Sequence, residues 1–306
     1  MLNQVPVSAD FAAGASVSGV LDMRTWVAGV AHAPRNWTSA SLGFKVSPVN
    51  VEQITLATLA GAATSFSQPA SATALEVVQA AHVAGDVGRG IVVVGSDATG
   101  AVITETISLH ATNTTTAVAG TTEFTKVAGV YTADGAVLGA QNVTVRASGG
   151  GATVVTFTAS TASVGMATVT ASAANGAEVV VTGPNADETY VTVIGTLSGD
   201  VVGQRVQLDG SSPSVIYSDQ RYDEVTHVAV GELTNAGVAT VKSRDWWQPL
   251  YDDMGSIVAI TITAGTSFDL PEAIDKAGFV KLWSHNGSGT AVAQTEARRV
   301  WIELKG

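Results

Sequence analysis

Val92-Val93-Val94-Gly95-Ser96-Asp97-Ala98-Thr99-Gly100 is matched, at an offset of 99, by Val191-Thr192-Val193-Ile194-Gly195-Thr196-Leu197-Ser198-Gly199. The offset holds through the next segment, where Ile103, Glu105, Ile107 and Leu109 stand against Val202, Gln204, Val206 and Leu208. One deletion later, Phe124, Val127 and Val130 meet Tyr222, Val225 and Val228. The copies close on Val143-Thr144-Val145-Arg146 and Ala239-Thr240-Val241-Lys242. Self-similarity of this kind marks a duplicated structural unit. Apolar residues recur at every second position over 103–109 and 202–208, the period of a half-buried strand.

The same signals extend outward from the repeat. β-branched residues crowd Thr153 to Thr158 and Ile257 to Thr263, where they fit a pleated surface. Turn residues punctuate the runs at Asp97–Gly100, Asp134-Gly135, Asn175-Gly176, Asp209-Gly210 and Asn286-Gly287. Strands this closely spaced, with no helical period between them, predict an all-β chain of antiparallel sandwiches rather than a parallel α/β sheet. A single helical turn is expected at Pro271–Lys276. The run Ser148-Gly149-Gly150-Gly151 is the natural boundary between the copies, giving repeats at 49–148 and 149–243.

Both ends differ from this middle. All six tryptophans (Trp26, Trp37, Trp246, Trp247, Trp283, Trp301) lie in 1–48 or 244–306. Residues 49–243 hold 6 Lys/Arg against 16 Asp/Glu, whereas the ends hold 9 against 10. Residues 1–48 and 244–306 therefore read as one discontinuous, Trp-rich domain with the acidic repeats inserted in a loop whose ends lie close together. Three domains in series is the alternative.

Composition removes several function classes. Hydrophobic residues make up 46% and charged residues 13%, enough to fold and suited to strands with Thr and Ser on their solvent side. With a net charge of −11 and scattered cations there is no footprint for a phosphate backbone, so no nucleic-acid partner is expected. Cysteine is absent, which excludes disulfides, thiolate metal sites and a cysteine nucleophile and suits a reducing cytoplasm. Met1–Pro6 lacks the basic and apolar regions of a signal peptide, and no apolar run approaches the roughly 20 residues that span a bilayer. A soluble chain with no membrane partner is the expectation.

No catalytic constellation stands out, and no cofactor is expected. His32, His82, His110, His227 and His285 show no metal spacing, and neither a nucleophile elbow nor a phosphate loop occurs. The carboxylate pairs Asp187-Glu188, Asp223-Glu224 and Asp252-Asp253 are adjacent in sequence, which on a strand sends them to opposite faces. Asp97, Asp252 and Asp253, as turn carboxylates, are the calcium candidates. Trp26, Trp37, Trp283 and Trp301 are expected in a core. Trp246-Trp247 should point both ways across one strand and leave one ring partly exposed. With Arg298-Arg299 these two are the candidate interface or glycan contacts.

Several end segments carry a resemblance. Gly14–Asp22, Ala33–Ser47, Gln248–Asp253, Phe268–Pro271, Phe279–Leu282, Gln294 and Val300–Leu304 are similar to a family of tailed-bacteriophage structural proteins built on a small β-sandwich. In that family the Lys45–Ser47 strand runs by a short turn into the Gln248–Asp253 strand; here about 200 residues separate them. Val94–Ile107 resembles an immunoglobulin-like module common in phage virion proteins. The resemblance implies a jelly-roll-like end domain with two inserted tandem immunoglobulin-like Greek-key sandwiches. It also implies a non-enzymatic virion part such as a capsid decoration, head spike, or neck or tail accessory protein. Its partners would be other copies of itself and other virion proteins. The alternative is a tail-tip or baseplate module that binds a host-surface glycan.

Overall fold

A computed structural model describes residues 4–24, 27–35, 37, 41–59, 66–112, 116–170, 178–183, 189–208, 214–233, 239–254, 256–261, 267–271, 278–286 and 290–305. Trp26, Asn175-Gly176, Asp187-Glu188, Asp209-Gly210, Gly287, Asn36, Thr38–Ala40 and most of the expected helical turn at Pro271–Lys276 lie outside these residues. The chain is all-β, with 56% of it in strands and no helix of seven or more residues among the described ones. Every strand pairing among the described residues is antiparallel. Contacts divide the chain into two compact units, Met1–Glu52 with Asp245–Gly306, and Gln53–Arg244.

The strands in chain order begin with β1 (Gln4–Phe11), β2 (Leu21–Asp22), β3 (Val27–His32), β4 (Ser41–Ser47), β5 (Thr55–Leu59), β6 (Thr73–Gln79), β7 (Gly90–Ser96) and β8 (Val102–Ser108). Next come β9 (Val118–Phe124), β10 (Lys126–Thr132), β11 (Val143–Ala147), β12 (Thr153–Phe157), β13 (Ser163–Val164), β14 (Met166–Ala167), β15 (Glu178–Gly183) and β16 (Thr189–Leu197). The series closes with β17 (Asp200–Leu208), β18 (Ser214–Arg221), β19 (Glu224–Ala229), β20 (Ala239–Ser243), β21 (Gln248–Pro249), β22 (Ala259–Thr261), β23 (Ser267–Asp269), β24 (Phe279–His285) and β25 (Arg298–Lys305).

In the end unit, sheet β1-β25-β3-β23 packs on sheet β2-β24-β4-β21, with β22 also paired to β4. Their shared core joins Ala9, Phe11, Ala31, Val300 and Ile302 to Leu42, Phe44, Val280 and Leu282. Each strand contributes every second residue, as the pleat demands. Trp37 packs edge-on against Phe11 with ring centroids 5.2 Å apart.

The second unit holds two sandwiches. The first joins sheets β12-β11-β6-β9 and β13-β10-β7-β8 around Phe66, Leu75, Ile91, Val93, Phe124, Val145 and Phe157. The second joins β5-β20-β15-β18 and β14-β19-β16-β17 around Leu56, Val191, Val193, Val206, Tyr222 and Val241. Position by position the sheets correspond, with β5 in the place β12 holds and β14 in the place β13 holds. The first sandwich therefore sits, in chain order, between β5 and β14 of the second.

Two expectations are corrected by this topology. Residues 55–59 do not belong to the first copy, because Leu56 and Ala57 are fully buried in the core of the second. Ser148–Gly151 is not a boundary. It is the turn of the β11–β12 hairpin, with Gly149 and Gly150 at φ of 79° and 80° and Val154 and Phe157 beyond it in the first core.

A third correction concerns the repeat itself. Ile91 and Val93 face the first core as Val191 and Val193 face the second, so Gly95 corresponds to Gly195 and not to Ile194. The glycines show why. A Cβ on Gly95 would be driven into the Lys126 carbonyl oxygen and against the Phe124 ring, and one on Gly195 into the Glu224 carbonyl and the Tyr222 ring. A one-residue slip would turn every side chain of the strand to the wrong face. The length difference falls instead in the hairpin turn. Ser96 pairs with Val102 around five residues, whereas Leu197 pairs with Asp200 around Ser198-Gly199, both at positive φ.

The two sandwiches of this unit are joined by a small second core of Val94, Ala128, Ile194 and Ala229. Gly231 N–H donates to the Ala128 carbonyl at 2.6 Å and Val230 N–H to the Gly165 carbonyl at 2.7 Å. Tyr131 stacks on His227 with centroids 4.3 Å apart, beside a cavity of about 290 Å³.

Candidate functional site

Strand β25 reads Arg298-Arg299-Val300-Trp301-Ile302-Glu303, and its alternation sorts the residues between two faces. Val300 and Ile302 point into the core, so Arg299, Trp301 and Glu303 face outward. Register then assembles a row across four strands. Ser8 of β1 lies opposite Trp301, Trp301 opposite His32 of β3, and His32 opposite Ser267 of β23. Asp10 lies opposite Arg299 in the adjoining row.

Trp301 is 51% exposed at the centre of this face. Its polar neighbours are already oriented. Arg299 Nε and Nη2 donate to the two carboxylate oxygens of Asp10 at 2.6 and 3.1 Å, a planar fork-to-fork pair. Hydrogen bonding to Asp10 raises the Arg299 pKa further above its ordinary value. The guanidinium carbon sits 5.3 Å from the Trp301 ring centroid. On the other side His32 Nδ1 is 2.7 Å from Ser267 Oγ and its Nε2 is 3.6 Å from Glu303 Oε1. A groove of about 660 Å³ opens between Asp10, Ala12, Ala297, Arg299 and Trp301.

The four expected contact residues are not brought together. Arg299 belongs to this face. Arg298, its neighbour, is turned inward, only 8% exposed, with Nη1 on Glu296 Oε2 at 2.6 Å. Trp246 and Trp247 do not lie across a strand; they occupy the irregular segment before β21. Trp247 is 4% exposed, and its Nε1–H donates to the Val51 carbonyl at 3.0 Å. Lys281 stands 4.3 Å over its ring and pairs with Glu52. These contacts clasp the two chain crossings, at 51–52 and 245–247, to the same sheet. Trp247 is therefore a structural anchor, and Trp301, expected in the core, is the exposed ring.

Burial sets the remaining chemistry. Trp283 is buried on the outer face of β24 beside His285, 4.8 Å between centroids. Desolvation holds both His285 and His227 below the ordinary histidine pKa. Asp97 and Asp252 are capping groups of their own turns. Asp97 Oδ1 accepts from the N–H groups of Thr99 and Ala101, and Asp252 Oδ1 from those of Met254 and Ser256. Asp223 Oδ2 accepts from Ser198 N–H at 2.7 Å. Among the described residues no three His, Asp or Glu side chains converge as a metal site would require. No protein-family model, no curated protein and no solved structure matches the chain.

Proposed function

We propose that the chain is a non-enzymatic structural component of a tailed-phage virion, such as a capsid decoration or head-spike protein or a neck or tail accessory protein. The end unit makes the attachment and the acidic insertion faces solvent. Its partners are further copies of the chain and other virion proteins. The finer assignment of the insertion as two immunoglobulin-like Greek-key modules, and of the end unit as jelly-roll-like, belongs to the same proposal.

The observation that carries it is the disposition of charge. Of the six cations in residues 49–243, Arg89, Arg146 and Arg205 are held in internal pairs with Asp86, Glu76 and Glu232. The carboxylates outnumber them and include the exposed Glu123, Asp200, Asp223 and Glu224. A surface of one sign keeps crowded copies from adhering to one another. β1, an edge strand of the end unit, carries Pro6, which lacks the N–H needed for open-ended edge pairing. Both features suit a chain displayed in many copies, and the resemblance of the end segments supplies the particle.

Immunogold microscopy of purified phage particles, with antibody against residues 49–243, tests this reading. Gold on heads, necks or tails is the expected result. Absence of label, together with absence of the chain from the particles' mass spectrum, overturns it. Of the two rings that carry the glycan-binding alternative, Trp247 is enclosed by Val51 and Lys281.

A further inference from the structure

The outward row of the β1-β25-β3-β23 sheet has a chemistry that attachment alone does not require. An exposed tryptophan ring is an apolar plate, and this one stays half exposed with the Arg299 guanidinium of the Arg299–Asp10 pair over it and with Ser8, and His32 with Ser267 and Glu303, around it in the sheet. Four strands span about 14 Å at ordinary sheet spacing, so the row is narrow. A stable protein contact covers roughly 800 Å² on each partner. The groove beside Trp301, at about 660 Å³, instead lies in the range of small-ligand sites.

We propose that this face binds a neutral pyranose sugar, stacked on Trp301 and hydrogen-bonded by Arg299 and Asp10. A pyranose ring has an apolar face of axial C–H groups and a rim of hydroxyls. It therefore needs a flat aromatic partner with in-plane donors and acceptors at its edge. The ring–C–H contacts are individually weak and gain from being made over a whole face. Arg299 has five N–H donors and Asp10 about four acceptor sites, and their mutual pair uses two of each, leaving both kinds free for adjacent hydroxyls. The pair also holds the guanidinium over the ring, 5.3 Å from its centroid, before any ligand arrives, which lowers the ordering cost of binding. The inference stands on this geometry alone and does not depend on the virion reading.

Saturation-transfer NMR of the full chain with neutral trisaccharides built from glucose, galactose, N-acetylglucosamine and rhamnose tests it. At least one sugar should receive transfer at its axial C–H protons. Trp301→Ala should weaken that binding at least about tenfold, a loss usual for an aromatic anchor. Arg299→Ala should weaken it too, whereas Trp246→Ala should leave it unchanged. Both Trp301 and Arg299 are exposed, and an unaltered melting curve for each variant excludes misfolding as the cause. Absence of transfer to every sugar overturns the proposal, as does binding that Trp301→Ala leaves intact. Conversion of an oligomer to a monomer by Trp301→Ala, with no sugar bound, also overturns it and makes the face a contact between copies.

Discussion

The two sandwiches of the insertion hold equivalent strands in equivalent sheet positions, yet one is built from a continuous stretch and the other from two pieces. In the first, β12 follows β11 through a short glycine turn and takes the outer position beside it. In the second, the position beside β20 is filled by β5, with the whole first sandwich between them in the chain. A strand's place is thus decided by the core it completes, not by its neighbour in sequence. Closing so long a loop adds little to the stability cost, because closure entropy rises only with the logarithm of length. It matters more for rate, since distant pairings form late. The first sandwich has its core complete from residues 66 to 164, and the second must wait for both of its pieces.

The sharpest test of the correspondence is steric. Gly95→Val and Gly195→Val should each cost about 4 kcal/mol or more, because the neighbouring carbonyl is fixed backbone. Hydrogen exchange should show Gly195→Val opening β16 and β19 while β7 and β10 stay protected, and Gly95→Val should do the reverse. Equal loss in both sandwiches would dissolve the comparison into a single cooperative unit. Leu56→Ala comes next. It should cost about 3 kcal/mol and lower protection in β20 and β16, not in β11 and β7. Loss confined to the first sandwich would return residues 55–59 to that copy.

A smaller difference is electrostatic. Burial raises the Glu76 carboxyl, but hydrogen bonds from Arg146 and from the N–H groups of Gly149 and Gly150 outweigh it and hold the pKa below the ordinary 4.5. The resulting stability is complete above 4.5 and is lost as pH falls through the depressed value. Acid unfolding of the first sandwich should therefore steepen below pH 4.5. Glu76→Gln should cost roughly 2 kcal/mol near neutrality and remove that steepening in a urea titration. The smallest effect is at the junction. Desolvation depresses the His227 pKa, so its neutral form is favoured and stability declines as pH drops below 6.5. The protection factors of the Val230 and Gly231 amides should fall from pH 7 to pH 5 in the native chain and less so in His227→Gln.

Much of this organisation was legible in the residues. Period-2 runs and turn pairs marked an all-β chain, and the repeat was visible through Phe124 against Tyr222 and Val143–Arg146 against Ala239–Lys242. The uneven tryptophans and charges drew cuts at 48/49 and 243/244; contacts draw them at 52/53 and 244/245. Trp301 could have been placed from its own strand, where Val300 and Ile302 alternate with it, but the general tendency of tryptophan to be buried outweighed that local pattern. Trp247 was misread because a pair of adjacent rings suggests a strand, and nothing near it in sequence reveals that Val51 and Lys281 will close around it.

What the sequence alone determined is therefore local: strand periodicity, turns, the acidic middle and the duplicated pattern, all of which depend on neighbours within a few residues. Tertiary structure decided the rest. The assignment of β5 to the second sandwich, the one-residue register at Gly95 and Gly195, and the row Ser8–Trp301–His32–Ser267 each require pairing between distant strands. Such pairing is selected by which hydrophobic face can be covered and which backbone can approach, and those conditions exist only once the sheets have packed.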